Sequence, residues 1–225
     1  HVVLIEPEKH GPHLPTITDA LLGDALAHLI AERLGNTLQA PTISVGCSEH
    51  HMVFPGTITF SKETLQAIIH DYTESLARQG FQNIIFLPFH GGNFGPLKEV
   101  LPNLQKEFSE VNVTGFTDLQ EFIDKMQAFS EEKGVTSAEA GAHAGEHETS
   151  LMLAVAKHLV KTDHLKAGYV GPFTEKQSAM IFEKGMKVLT KNGVLGDPTK
   201  ATEEHGKYYL DQMVDTLTEK IEKLL

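Results

Sequence analysis

Short apolar runs alternate with longer amphipathic stretches along most of the chain, and that alternation predicts the fold. Val2-Val3-Leu4-Ile5 reads as a buried strand that stops at Pro7, which has no N–H to give a ladder. Leu22, Leu26, Leu29 and Arg33 follow at near-helical spacing from an expected N-cap at Thr18 to a stop at Gly35-Asn36. Thr42-Ile43-Ser44-Val45 predicts the next strand. Ser61 then caps a helix whose Leu65, Ile68, Ile69, Tyr72 and Leu76 form one apolar stripe ending at Gly80. Asn83 to Leu87 is the strongest buried-strand signal, followed by a helix expected from Pro96 to Phe108 and a strand from Val111 to Phe116. Strands separated by helical segments are βαβ units. They predict an α/β fold with a central, mostly parallel sheet flanked by helices on both faces.

Beyond the last strand, Asp118 to Lys133 predicts an amphipathic helix and Gly134 to Gly145 a small-residue loop. A helix carrying Leu151, Met152, Val155 and Leu159 comes next. After Val160 the chain turns Gly- and Lys-rich and reads as loops, before a closing helix from Ala201 to Leu225. No internal repeat or linker interrupts this order, so residues 1–225 are expected to form a single domain.

The charge balance narrows the partners. With 19 basic and 30 acidic residues the formal net charge is −11, which repels phosphate backbones and anionic membranes, so neither nucleic acid nor membrane is an expected partner. Cys47 is the one cysteine, so no intramolecular disulfide is possible and a cytoplasmic location is expected; at a strand end it reads as a small packed hydrophobe. No apolar run approaches the ~20 residues of a membrane span, and no charged-then-apolar leader opens the chain. His1 stands inside an apparent strand, so residues are expected to precede it.

Candidate chemistry gathers where strands end. Glu8, His10 and Asp19 bracket a loop stiffened by Pro12 and Pro15, His90 follows the strongest strand, and Glu148 opens a later helix. Carboxylate oxygen and imidazole nitrogen suit divalent ions, and two ions ~3.5–4 Å apart need a carboxylate able to bridge them. Glu8 and His10, one residue apart in extended chain, project to the same side and can serve one ion each. Asp19, at a helix start that favours the ionised carboxylate, is the expected bridge. Glu148 shares a helical face with Met152, Val155 and Leu159 and is expected to point inward. Singly, each of these residues has a blander reading: a first-turn acid, or a histidine bonded to a backbone carbonyl. Lys9, between two ligands, reads as a surface lysine.

The ordered motifs Glu8-Lys9-His10-Gly11-Pro12-His13-Leu14-Pro15 with Asp19, His51-Met52-Val53-Phe54-Pro55-Gly56-Thr57, His90-Gly91-Gly92-Asn93 and His143-Ala144-Gly145-Glu146-His147-Glu148-Thr149-Ser150 together resemble the creatininase (creatinine amidohydrolase) family, as does Gly196 to Thr202. The resemblance implies a single α/β domain, assembled into a homohexamer, with two divalent metal ions per chain: zinc first, manganese or iron as alternatives. Glu8, Asp19 and His90 would hold one ion, and His10, Asp19 and Glu148 the other. A metal-bound hydroxide would attack an amide carbonyl, with His143 orienting substrate or shuttling a proton and Glu148 taking part in catalysis. Ser48, His51, Gly56, Thr57, Gly92 and Asn93 would line the substrate pocket.

Two departures separate the chain from creatininases proper. Gly92 stands where they carry a glutamate, and the tryptophans they place around creatinine are missing, since the chain has none. The expected substrate is therefore a small cyclic amide, formamide or related C–N compound other than creatinine or an ordinary peptide. The competing readings are a non-catalytic metal- or ligand-binding member of the fold, and a metal-dependent ring-opening enzyme that is not an amidase.

Overall fold

The computed structural model describes residues 9–225 and the backbone of the strand β1 (Val2–Leu4); His1 and residues 5–8, Glu8 among them, lie outside the described residues. Strand β2 (Asn83–Pro88) carries the longest continuous burial, with Ile84, Ile85 and Phe86 at zero exposure. Each such side chain contributes roughly 1.5–3 kcal/mol of transfer free energy. Successive residues face opposite ways: Ile84 and Phe86 enter one core and Ile85 and Leu87 the other, so the strand needs apolar cover on both sides.

That cover comes from helices on both faces. Helices α1 (Thr18–Leu34), α6 (Glu146–Ala156) and α8 (Glu203–Leu224) supply Leu22, Leu26, Ile30, Leu151, Met152, Tyr209 and Met213 to one core. Helices α2 (Lys62–Arg78) and α3 (Gly91–Glu107) supply Leu65, Ile69, Leu97 and Leu104 to the other. Strand β3 (Asn112–Gly115) completes a parallel sheet of order β1-β2-β3, with Val3 opposite Leu87 and Ile84 opposite Val113. The expected α/β class, with a parallel sheet between two helical layers, is what the chain adopts.

Several local expectations change. Thr42–Val45 gives only a lone bridge residue, Ile43, among the described residues; Pro41 before it has no N–H for a ladder. Helix α3 begins at Gly91, not Pro96, because His90 takes the N-cap position directly after β2. The segments read as loops hold two helices. They are α5 (Ser137–Ala140) and α7 (Glu175–Lys184), each opened by a capping box, Thr136 with Glu139 and Thr174 with Gln177. The helix α4 (Leu119–Glu131) is capped by Asp118, whose side chain accepts from Glu121 N–H. Helix α6 stops at Ala156, and Lys157–Leu159 continues as a 3₁₀ turn that leaves Leu159 exposed. Thr202 caps α8, so the closing helix starts two residues later than expected. No helix among the described residues is long and apolar enough to cross a membrane.

Helices α6 and α8 cross closely at Gly206, where an added Cβ would lie 1.8 Å from the Ser150 carbonyl oxygen. Although alanine is the better helix former, Gly206→Ala is expected to destabilise the fold by about 1–3 kcal/mol through forced separation of the helices. A thermal melt checks this, with a midpoint lowered by several degrees.

Candidate metal centre

Parallel strands end at one edge of the sheet, and the candidate ligands gather beyond that edge. His10 lies beyond β1, in a turn where Gly11 has φ of +64° and an added Cβ would meet Val194 at 2.6 Å. The loop then returns to α1, where Thr18 is the first helical residue, not the cap; its hydroxyl donates to the Pro15 carbonyl at 2.7 Å. Asp19 follows in the first turn with 2% exposure. His90 leaves β2, and Glu148 sits in the first turn of α6.

These side chains converge. Asp19 turns Oδ1 to His10 Nε2 at 3.1 Å and Oδ2 to His90 Nδ1 at 3.3 Å, one oxygen to each imidazole. Glu148 Oε1 lies 3.5 Å from the same His10 Nε2. His90 Nε2 donates to the Cys47 carbonyl at 3.3 Å, which fixes the tautomer and leaves the Nδ1 lone pair on the Asp19 side. The bland reading of His90 and the ligand reading thus describe two different nitrogens of one ring. Glu148 Oε2 accepts from the Ala144 N–H, and Ala144 is held at φ +50°, the only positive φ of a non-glycine residue among those described. Such a backbone costs about 1–2 kcal/mol and here aims an N–H at a ligand.

The donor set fits divalent ions. Among the described residues, His10, His143 and Glu148 bring ligand atoms within 4.8 Å of one another, and Asp19, with a histidine at each oxygen, has bridging geometry. Burial opposes charge on His10, but Asp19 and Glu148 outweigh it and raise its pKa well above the ordinary histidine value, so a proton occupies the position a cation would take. Glu8, assigned with Asp19 and His90, lies outside the described residues.

His143 donates Nε2–H to the Lys9 carbonyl at 2.9 Å, packs at a tilt with its ring centroid 4.2 Å from that of His10 and lines the cavity with Asp19, His90 and Glu148. His51 is buried and packs 4.7 Å from the His143 ring. Ser48 is buried, its N–H bonded to Thr59. Gly56 is exposed at φ +97°, and Thr57 donates to the His51 carbonyl at 3.3 Å, so this loop braces His51. Gly92 has no room for a side chain, since a Cβ there would stand 1.9 Å from the Cys47 carbonyl. Asn93, fully buried, accepts from Cys47 N–H at 3.1 Å and so ties down the same loop. Lys9 directs its ammonium over the Phe54 ring, 6.0 Å from the centroid.

Sequence reasoning missed the cavity's apolar wall. Phe122 and Met126 of α4, with Phe173 and with Phe182 of α7, face His51, His90 and His143, and they supply the aromatic surface in a chain without tryptophan. The Thr174–Gln177 capping box was the signal that places Phe182 on a helix.

A family model described as "Creatininase: Creatinine amidohydrolase" matches residues 7–221. A mycofactocin precursor peptide peptidase of Mycobacterium ulcerans (strain Agy99) is 31% identical over 222 residues, which cover 95% of this chain and 80% of the relative. Among solved structures, a manganese form of creatininase aligns with TM-score 0.80 at 24% identity, covering 99% of this chain and 90% of its own. A Zn-Zn form of a creatininase mutant aligns with TM-score 0.79 at 24% identity, over 99% of this chain and 89% of its own. Family and relatives together mark a hydrolase of C–N bonds, and the clustered histidines and carboxylates are its candidate metal site. The chain belongs to the creatininase family.

Two buried rings make the fold acid-sensitive. Burial, reinforced by His10 and His143, lowers His13 to about 4, and burial lowers His147 to about 3 with the Met126 carbonyl pulling the other way. A histidine whose folded pKa lies below its unfolded value of about 6.5 stabilises the fold above that pH and loses the contribution as pH falls toward the folded pKa. His10, with its raised pKa, acts in the opposite sense and in a different window, above pH ~6.5. Urea unfolding of metal-free protein should lose up to ~1.4 kcal/mol per pH unit for each ring as pH falls from ~6.5 toward ~4. His13→Gln should lower that slope by about one proton.

Proposed function

We propose that the chain is a dinuclear metal-dependent amidohydrolase that cleaves the C–N bond of a small cyclic amide, formamide or related substrate. The observation that carries this reading is the division of the Asp19 carboxylate between His10 and His90. His10, Asp19 and Glu148 would hold one ion, and Asp19, His90 and Glu8 the other, with zinc as the first choice and manganese or iron as alternatives. Bound there, divalent ions supply polarisation of the amide carbonyl and activation of water.

The protein's own groups do the rest. His143, anchored through Nε2 to the Lys9 carbonyl, orients the substrate and carries a proton at Nδ1 to the leaving nitrogen. The Ala144 N–H holds Glu148 in place. Phe122, Phe173 and Phe182 exclude water from the carbonyl and accept the apolar part of the substrate. Gly92 gives the site no carboxylate of its own at that position, which favours a substrate other than creatinine. A second reading, cleavage of a peptide bond, is favoured by the 31% identity to a relative named as a peptide peptidase. The reading includes a homohexamer, supported by the exposed Met52, Val53 and Phe182, and a cytoplasmic setting, supported by the single cysteine.

Asp19→Asn is expected to lose bound metal and at least about 1,000-fold in hydrolysis together, since both assigned ion positions depend on one carboxylate. Metal analysis and turnover of the same preparation check this, and full activity without metal would contradict it. A screen of the zinc- and manganese-loaded protein against formamides, lactams, hydantoins and short peptides separates the two substrate readings.

A further inference from the structure

One fully buried carboxylate beside the centre has no place in the reading above. Glu146 opens α6 two residues before Glu148, and two residues turn a helical side chain through about 200°, so the two carboxylates face opposite ways. Glu146 Oε1 accepts from Ser150 Oγ at 2.9 Å, His205 Nδ1 at 2.8 Å and the Tyr209 hydroxyl at 3.1 Å. Its Oε2 accepts from Tyr209 at 3.1 Å and Ser130 Oγ at 3.4 Å. His205, with 22% of its side chain exposed, is where this cluster reaches solvent.

The cluster fixes a neighbouring ring. Ser130 Oγ lies 3.0 Å from His147 Nδ1, and the ring also bonds the Met126 backbone carbonyl, which can only accept; with Nε2 unpartnered, both contacts fall to Nδ1, which carries the proton. His147 also stacks on the Tyr209 ring, 4.3 Å between centroids and 12° from parallel. With Nδ1 protonated, Nε2 carries a lone pair. That Nε2 has no hydrogen-bond partner although the residue is only 2% exposed, and His147 lines the cavity it shares with Asp19, His90, His143 and Glu148. A buried, unsatisfied acceptor in a reaction cavity is a position for a ligand's donor.

We propose that His147 contacts substrate: its Nε2 accepts a hydrogen bond from a substrate N–H, so the site selects amides that keep a proton on nitrogen over fully substituted ones. The Glu146, Ser130, Tyr209 and His205 cluster is the frame that sets the ring's tautomer and angle. The assignment rests on the amide-hydrolase reading only for the nature of the substrate group.

The test reads binding apart from turnover. Acetohydroxamic acid and N-methylacetohydroxamic acid offer a metal the same two oxygens and differ in one N–H. Their affinities for the zinc-loaded protein are measured by calorimetric titration, beside metal content and melting midpoint. The wild type is expected to favour the N–H form. His147→Asn can still meet Ser130 but carries nothing at the Nε2 position, and it should lose about 10-fold of that preference, equivalent to ~1.4 kcal/mol. His147→Gln restores an acceptor at that position and should keep most of it. Ser130→Ala, which removes one of the two partners of Nδ1 without touching Nε2, should weaken the preference and serves if His147→Asn does not fold. No preference in the wild type, or a preference unchanged in His147→Asn and Ser130→Ala, overturns the proposal. A preference in a protein that cleaves no amide leaves His147 assigned and removes the hydrolase reading; amide cleavage with the preference unchanged in the variants does the reverse.

Discussion

The structure around the site depends on one costly placement, the Asp19 carboxylate at 2% exposure. Burying an ionised carboxylate is tolerable only with compensation from charge or hydrogen bonds. Here an imidazole meets each oxygen, and the first turn of α1 adds its dipole. The surrounding sequence serves that placement: Pro15 and Thr18 set where α1 begins, Gly11 lets the loop pass against Val194, and β2 ends where His90 can reach across.

A second buried carboxylate, Glu146, is compensated differently, by hydroxyl groups and His205. The contrast assigns roles within one helical turn. Glu148 stands among imidazoles and a backbone N–H, an arrangement a cation completes, whereas Glu146 already has its full set of donors. Supporting residues of this kind hold a reactive site to within fractions of an ångström, and the Cys47 loop does the same on the opposite side through His90, Gly92 and Asn93.

Much of this was legible in the sequence because it follows local rules. β2 announces itself as a run that must be buried on both faces, and the ligands sit at strand ends where parallel sheets collect their sites. What was not legible depends on tertiary contact. Gly92 reads as part of a substrate pocket, yet its requirement is the approach of the Cys47 carbonyl from 45 positions earlier in the chain. Thr42–Val45 has strand composition, yet among the described residues only Ile43 is paired. Helix α7 was hidden by flanking glycines and lysines, although its capping box was visible, and with it went Phe182 and the cavity wall. Glu146 and His147 looked like an ordinary first turn, because nothing local shows Ser130, His205 and Tyr209 arriving from other elements.

The central claim is that one carboxylate serves two ions. Anomalous diffraction from zinc-loaded crystals tests it most directly. The account predicts two peaks about 3.5–4 Å apart, one beside His10 and Glu148 and one beside His90, with an Asp19 oxygen toward each. A single peak, or two that do not share Asp19, would contradict it.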